Sequence, residues 1–408
     1  MKNKKIFVFI KVLAVVVVGS LLCAGCTDSG IRTTTDDSIA VIVSKGGTNK
    51  NEFASSPRTK ADGTKFRIAY VDIDPYDVTG SMLYYVIESL KKNGWITYDS
   101  LPVSASSDID AGKLIDWLAE HDLGPYIAFD KSANYYLNYQ SDPAVKKSLL
   151  DHVYNKKDID LVFAMGTKAG QFVKPLNIDV PTMVYGSLNP VASGIIKSDD
   201  DSGRANLWAQ VDQSAFTRQL QFYYDTIHFK NIGMVYNDPI VEAIPDYEKT
   251  AYENGFKITE VKLVRPLDNN EAEKKAYYEK LEAIYKNLID EKKIDAYLIN
   301  TDVITDNSYM KDMFKLFTDA KIPVFAQIGD NYVKNGAFML VSPRDYKNLG
   351  AFVSYTMGAI FNGTIPGKLP QKYVSAPYLS INLKVAKSIS YTPTFEMLMS
   401  CENIYNSD

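Results

Sequence analysis

The chain has 408 residues, 46% of them hydrophobic and 23% charged, and this length exceeds the usual size of a single domain. Its 45 basic and 49 acidic residues leave a net charge of -4, which excludes the basic footprint of a nucleic-acid-binding protein. The three cysteines allow no disulfide framework, and the three histidines (His121, His152 and His228) lie far apart without ligand spacing, so we predict no metal site and no other cofactor.

The first 26 residues have the pattern of an export signal. Lysines at positions 2, 4 and 5 precede an apolar run over residues 12–22 that is short for a membrane span, and small residues then lead into Cys26. This pattern resembles the bacterial lipoprotein signal, which implies a signal peptide over residues 1–25 and a lipid attached to Cys26. An ordinary signal peptide and an uncleaved anchor are the alternatives. We therefore expect a protein that is lipid-anchored on the extracytoplasmic face of a bacterial cytoplasmic membrane.

A polar segment follows the signal. Residues 26–65 are rich in Ser, Thr, Asp, Gly and Lys and contain one short apolar island, Ile39–Val43. Such a segment cannot bury enough apolar surface to offset the entropy that is lost on ordering. We interpret it as a flexible tether that lifts the folded part of the protein off the membrane.

From Phe66 onward, short apolar runs alternate with amphipathic helical patterns. Three helices are predicted in this way: one directly after Thr79–Gly80, one from about Glu271 to Lys293, and one over Phe352–Phe361. The apolar runs that predict strands are Phe66–Ile73, Asp160–Met165, Pro181–Tyr185, Ile232–Tyr236, Ile258–Val264, Asp295–Ile299, Ile322–Ala326 and Ala337–Val341. Several runs are apolar on consecutive residues, as expected for strands buried on both faces, so we predict an α/β fold with mainly parallel sheets.

Eight strands can form one closed barrel or two doubly wound sheets, and the sequence favours two sheets. The polar segment Lys197–Gly203 separates a first set of strands from a second set that begins again near Asn231. We therefore predict two doubly wound, Rossmann-like lobes with a hinged cleft between them. The predicted bounds are 66–207 with 338–368 for the first lobe, 208–337 with 369–400 for the second lobe, an insertion over 118–144 and a tail over 401–408.

Six segments carry the sequence pattern of a known family in the right order. The first is Asp160–Gln171, which reads Asp-Leu-Val-Phe-Ala-Met-Gly-Thr-Lys-Ala-Gly-Gln, and the others are 180–196, 231–237, 294–302, 320–326 and 379–387. They resemble the extracytoplasmic solute-binding proteins of ABC importers. More narrowly, they resemble the branch with the type I periplasmic-binding fold that is associated with tryptophan and other aromatic amino acids.

The resemblance implies a binding protein rather than an enzyme. Such a protein captures a small solute, here an amino acid and an aromatic one among the candidates, and delivers it to ABC permease and ATPase subunits. We expect it to be a monomer. A sensory receptor lipoprotein of the same fold is the alternative, and a surface hydrolase is a weaker one, because the sequence has no Gly-x-Ser-x-Gly elbow and no phosphate-binding loop.

Ligands of doubly wound sheets bind at the carboxyl ends of the strands, where this sequence has small, polar and acidic residues. Gly166 and Thr167 end a strand and begin a helix, so their N–H groups and the hydroxyl can hold a carboxylate. Acids after second-lobe strands can accept from an ammonium group, and tyrosines at strand ends (Tyr76, Tyr185 and Tyr236) can stack on a ring. For each Thr and Asp, a helix cap or a turn is the alternative. The predicted ligand-binding residues are Tyr76, Thr79, Gly80, Gly166, Thr167, Lys168, Ser187, Asn189, Asn237, Thr301, Asp302 and Asp330.

Overall fold

The computed structural model describes residues 53–74, 77–105, 109–138, 143–187, 189–212, 214–237, 243–266, 270–300, 303–342, 345–374 and 378–406. The predicted signal, Cys26 and most of the predicted tether lie outside the described residues, as do Tyr76, Thr301 and Asp302. Within the described ranges, no helix is both long enough and apolar enough to cross a membrane.

Five parallel strands form the first sheet, in the order β2-β1-β3-β4-β5. They are β1 (Phe66–Asp72), β2 (Ile127–Tyr136), β3 (Leu161–Met165), β4 (Thr182–Tyr185) and β5 (Leu207–Ala209). Every residue of β3 and β4 is buried, because helices cover both faces of the sheet. This burial explains why the two strands are recognised from consecutive apolar residues rather than from alternation.

Seven strands form the second sheet, in the order β12-β11-β10-β9-β8-β6-β7. They are β6 (Asn231–Tyr236), β7 (Lys257–Lys262), β8 (Ala296–Ile299), β9 (Val324–Ala326), β10 (Met339–Ser342), β11 (Tyr378–Asn382) and β12 (Cys401–Tyr405). Neighbouring strands run parallel, except that β11 is antiparallel to β10. Two separate, mainly parallel sheets therefore replace the alternative of a single closed barrel.

Helices cover both faces of each sheet. They are α1 (Asp77–Lys92), α2 (Ala111–Glu120), α3 (Pro143–Leu150), α4 (Gly166–Val173), α5 (Ala215–Ile227), α6 (Ile244–Asn254), α7 (Glu271–Asp290), α8 (Asn307–Asp319), α9 (Asp330–Lys334), α10 (Tyr346–Phe361), α11 (Leu383–Ser388) and α12 (Phe395–Met399). The first sheet packs against α1, α2 and α10 on one face and against α3 and α4 on the other. The second packs against α5, α6 and α11 on one face and α7, α8 and α9 on the other. The predicted α/β class is confirmed.

Two edge strands differ from the sequence-based expectation. The segment 118–144, which we expected to be an insertion, contains β2, the edge strand of the first sheet. Its residues 130–133 form a bulge, because β1 pairs Ile68 with Phe129 but Tyr70 with Asn134. The segment 401–408, which we expected to be a tail, contains β12, the edge strand of the second sheet. In β2 buried residues alternate with half-buried or exposed ones, and in β12 half-buried residues alternate with exposed ones, so neither strand stands out as an apolar run.

The boundaries between the sheets also differ from the expected lobe bounds. The segment 338–368 divides, because β10 joins the second sheet whereas α10 packs on α1 beside the first sheet. A Cβ atom on Gly350 would lie 2.7 Å from the backbone of Tyr85, so this glycine permits the close approach of α10 and α1. Strand β5 follows the polar segment 197–203 but still belongs to the first sheet. The chain therefore leaves the first sheet after Ala209, close to the expected bound at residue 207.

The last part of the predicted tether is packed on the protein. The ring of Phe53 lies against the core beside the first sheet, and the Tyr355 hydroxyl donates to the Phe53 carbonyl at 3.1 Å. The indole N–H of Trp95 donates to the Ser55 carbonyl at 2.9 Å. The packed part of the protein therefore includes residues from Phe53 onward rather than from Phe66 onward, because backbone carbonyls of a polar segment can form hydrogen bonds without any apolar pattern in the sequence.

Two of the segments that connect the sheets run side by side. The Val211 N–H donates to the Gln371 carbonyl at 2.9 Å, and the Tyr373 N–H donates to the Val211 carbonyl at 3.0 Å. The indole N–H of Trp208 donates to the Pro370 carbonyl at 2.8 Å. Because these connections are short and paired through their backbones, a change in the angle between the sheets has to be absorbed by few residues.

Candidate functional site

Each sheet has one point at which the strand order reverses. In the first sheet this point lies between β1 and β3, since β2 is on one side of β1 and β3 on the other. In the second sheet it lies between β6 and β8 for the same reason. Ligands of open α/β sheets bind in the crevice outside the carboxyl ends of the strands at such a point. The residues that follow β1, β3, β6 and β8 are therefore the first to consider.

The ends of β3 and β4 form a small polar cradle in the first lobe. Gly166 and Gly186 have φ values of 81° and 95°, a backbone conformation that favours glycine. A Cβ atom on Gly186 would lie 3.4 Å from the Gly166 nitrogen, so the two turns are close together. The Thr167 hydroxyl donates to the Ser187 hydroxyl at 3.1 Å, and Ser187 is buried. Since α4 begins at Gly166, this cradle combines backbone N–H groups with two hydroxyls, a set that suits an anionic oxygen.

Two other predicted residues of this region have different surroundings. Lys168 is exposed on the outer surface of the first turn of α4. The side-chain oxygen of Asn189 accepts from the Ala192 N–H at 3.0 Å, and the Asn189 carbonyl accepts from the Ser193 hydroxyl at 2.7 Å. Asn189 therefore closes the turn to which it belongs, as asparagine commonly does.

The end of β1 holds a buried carboxyl that the predicted list omits. Asp72 is inaccessible to solvent, and it accepts from the Tyr70 hydroxyl and from the Ile73 N–H, both at 2.7 Å. The Thr79 side chain also hydrogen-bonds to it. Burial raises the pKa of Asp72 to about 7, although these three hydrogen bonds act in the opposite direction. Thr79, predicted to bind the ligand, is thus engaged with Asp72 from the first turns of α1.

Gly80 is a packing residue rather than part of an open loop. A Cβ atom at this position would lie 1.8 Å from the Ile109 carbonyl oxygen and 3.1 Å from the Ala111 nitrogen. The helix α1 therefore touches the chain where α2 begins, and only glycine permits this approach. The signal that singled out Gly80, a glycine after a strand, does not distinguish a ligand contact from a helix contact.

A row of amide side chains lies at the carboxyl ends of the second-sheet strands. Asn237 follows β6, Asn300 follows β8 and Gln327 follows β9, and all three are buried. The Asn300 amide nitrogen donates to the Val235 carbonyl at 2.6 Å, which joins the ends of β8 and β6 at the switch point. We predicted Asn237 alone of these three. Asn300 and Gln327 could have been found from the sequence, because each directly follows an apolar run that predicts a strand.

Side chains from α5 and α6 form hydrogen bonds at the carboxyl ends of the same strands. The Gln327 amide nitrogen donates to the Tyr247 hydroxyl at 2.9 Å. The Gln219 amide nitrogen donates to the carbonyls of Gln327 and Val341, both at 2.7 Å, and thus joins the ends of β9 and β10. Gln219 lies within a helix, so no strand-end pattern in the sequence points to it.

Asp330 is half-buried and Tyr185 is fully buried, and both have partners within the protein. Asp330 begins α9 and accepts from the Asn403 amide nitrogen of β12 at 3.0 Å, and burial raises the pKa of its carboxyl. Tyr185 is fully buried and stacks on Phe163 with ring centroids 6.2 Å apart, so its ring belongs to the core. Tyr236 is half-buried at the end of β6. Among the residues with described positions, no cluster of His, Cys, Asp or Glu could hold a metal ion.

Comparisons with known proteins bear on this arrangement. A tyrosine-binding protein of Clostridioides difficile (strain R20291) is 24% identical over 259 residues, which are 62% of this chain and 69% of that protein. The structure of an ABC domain in complex with L-Trp from Streptococcus pneumoniae is similar at 14% identity with a TM-score of 0.60, covering 84% of this chain and 100% of that chain.

A third similar structure is the ligand-free, open form of a substrate-binding protein with adhesive properties from Clostridium difficile. It is 19% identical with a TM-score of 0.58 and covers 84% of this chain and 100% of that chain. At these identities the structural likeness shows the fold, which is the predicted type I periplasmic-binding fold. The model of the family described as ABC transporter substrate binding protein matches residues 126–403, most of the chain. The chain therefore belongs to the family of ABC transporter substrate-binding proteins, as the six sequence segments predict.

Proposed function

We propose that this protein is a membrane-tethered, extracytoplasmic binding protein that captures an amino acid and delivers it to an ABC permease and its ATPase. The observation that supports this proposal is the set of polar residues at and beside both switch points. The first lobe offers Gly166, Thr167 and Ser187, and the second offers the row of buried amides after β6, β8 and β9. A cleft with one such edge on each side can bind a small polar solute between the lobes.

The first-lobe cradle is the proposed carboxylate site. The N–H groups at the start of α4 and the Ser187 hydroxyl, which accepts from the Thr167 hydroxyl, can donate to the two carboxylate oxygens. The second lobe would hold the ammonium group, with Thr301 and Asp302 as further candidates. The names of the tyrosine-binding relative and of the L-Trp complex support an aromatic amino acid as the solute.

The amino-terminal pattern supports the proposed location. Cys26 would carry the lipid after cleavage of residues 1–25, and the polar segment that follows would separate the membrane from the two lobes. A lipid on a single cysteine, together with a flexible segment, keeps the binding protein close to the permease.

A thermal-shift screen of the full chain, extracted in detergent, tests the proposal. We expect stabilisation by L-tyrosine, L-tryptophan or a branched amino acid, and none by sugars or nucleosides. A ligand at a hundred times its dissociation constant adds about 2.7 kcal/mol to the free energy of unfolding. Stabilisation by sugars or nucleosides and by no amino acid would contradict the proposed solute. Uptake of the same solute by cells, lost when the gene for this protein is deleted, tests the role in import.

A further inference from the structure

Asn300 is a buried residue at the switch point of the second sheet. It follows β8 directly, and its side chain has no exposed surface. Its amide nitrogen donates to the Val235 carbonyl at 2.6 Å. The opposite orientation of the amide would place two oxygen acceptors at this distance, so the orientation is fixed. The side-chain oxygen Oδ1 is thereby held in one position, and no donor among the described residues forms a hydrogen bond with it.

Asn382 provides a comparison within the same sheet. It is the last residue of β11 and is equally buried, and its amide nitrogen donates to the Val333 carbonyl at 3.0 Å. Its Oδ1, however, accepts from the N–H groups of Lys384 and Val385 at 3.1 and 3.3 Å and caps α11. Because β11 is antiparallel to β10, Asn382 lies at the opposite edge of the sheet. The side-chain oxygen of Asn382, away from the switch point, thus has two donors within the fold. The side-chain oxygen of Asn300, at the switch point, has none among the described residues.

A buried amide oxygen without a donor is unfavourable, so a position that retains one invites a functional explanation. An oxygen of this kind can only accept a hydrogen bond, and it repels a carboxylate, which is also an acceptor. The carboxylate of an amino acid suits the donor-rich start of α4 in the first lobe instead. An ammonium group carries three hydrogen-bond donors, so it can donate to Asn300 Oδ1.

We propose that Asn300 Oδ1 accepts a hydrogen bond from the ammonium group of the bound amino acid. The Val235 carbonyl orients the amide, so the acceptor is in place before the ligand arrives and no side chain has to be ordered on binding. This assignment rests on the proposed function, since it requires an amino acid as the solute.

The test compares Asn300→Ala with Asn382→Ala in the full chain, extracted in detergent. Calorimetry measures the dissociation constant of L-tyrosine and L-tryptophan, and displacement measures that of the corresponding propanoates, which lack only the ammonium group. We expect Asn300→Ala to weaken binding of the amino acids by about tenfold or more and that of the propanoates by less than twofold. Asn382→Ala should change both by less than twofold. If Asn300→Ala does not fold, Asn300→Ser, which retains a short polar group, replaces it with the same expectation for the amino acids.

The possible outcomes separate this inference from the proposed function. If the wild-type protein binds neither these nor other amino acids, the proposed function fails and the assignment of Asn300 fails with it. If the wild type binds an amino acid and the Asn300 variant binds it equally well, the inference alone is overturned. An equal loss for the amino acid and its propanoate would also overturn the inference, because it would assign the loss to packing rather than to the ammonium group.

Discussion

The buried carboxyl of Asp72 should make the stability of the protein depend on pH in an unusual direction. Burial raises its pKa from 3.8 to about 7 in the folded protein. The folded state therefore binds a proton that the unfolded state has released between these two values. The contribution of Asp72 to stability is fully present below about pH 4 and is lost as the pH rises to about 7. Most paired carboxyls behave in the opposite way.

The magnitude follows from the two pKa values. Each pH unit between them corresponds to about 1.4 kcal/mol, so the full effect is about 4 kcal/mol and the part between pH 4.5 and 8 is about 3 kcal/mol. The substitution Asp72→Asn keeps the shape and an oxygen that can accept from the Ile73 N–H, but it removes the titration. Relative to the wild type, the variant should therefore gain about 3 kcal/mol in its free energy of unfolding between these two pH values.

Urea unfolding of the wild type and Asp72→Asn at several pH values between 4.5 and 8 measures this difference. Asp306→Asn is the control, because hydrogen bonds from Lys274 and Ser308 lower the pKa of Asp306 to about 2. Asp306 is thus ionised in both states over most of this range, and its variant should differ from the wild type by a nearly constant amount. Parallel curves for the wild type and Asp72→Asn would refute the reasoning, since they would show that the three hydrogen bonds to Asp72 keep it ionised.

Three further predictions concern packing, the proposed site and the anchor. Gly80→Ala should lower the melting temperature strongly, because the added methyl group would lie 1.8 Å from the Ile109 carbonyl oxygen. The loss in the free energy of unfolding should exceed the ~1–3 kcal/mol of ordinary overpacking, and a melting curve like that of the wild type would contradict this contact. Thr167→Val should weaken amino-acid binding about tenfold in calorimetry, whereas Lys168→Ala, on an exposed neighbour, should not change it; equal effects would remove the cradle from the site. Cys26→Ala should release the protein from the membrane fraction or leave the signal uncut, and unchanged attachment with normal processing would exclude the lipid.

The central strands could be predicted because a strand buried on both faces has apolar side chains at consecutive positions, and such a run is visible in the sequence. Leu161–Met165 and Thr182–Tyr185 are buried at every residue, and both were recognised. The edge strands β2 and β12 have no such signal, since one side of each lacks a partner strand and tolerates polar residues. In β2 the bulge at 130–133 also interrupts the alternation on which recognition of a half-buried strand depends.

The edge on which the site lies was predictable, but the partners of its side chains were not. The residues considered at the site lie near the carboxyl ends of strands, apart from Gln219 and Tyr247, which lie within α5 and α6, and this placement follows from the rule for doubly wound sheets. Whether such a residue faces the cleft depends on neighbouring elements that are distant in sequence. Gly80 contacts the chain at the start of α2, and Asn189 closes its own turn. These contacts require coordinates, because residue type and position are the same for either role.

The carboxyl-terminal segment forms the strand β12 instead of the expected tail, and a substitution at Asn403 tests whether this strand contributes to stability. In β12, Asn403 donates from its amide nitrogen to the buried carboxylate of Asp330 at 3.0 Å. Asn403→Ala removes this donor, and a hydrogen bond to a charged group contributes about 1.5–3 kcal/mol, so urea unfolding should show a loss of this size. Asn406→Ala, an exposed asparagine just beyond the same strand, should stay within about 0.5 kcal/mol of the wild type. A tail would make the two variants indistinguishable, and that result would show that β12 does not hold Asp330.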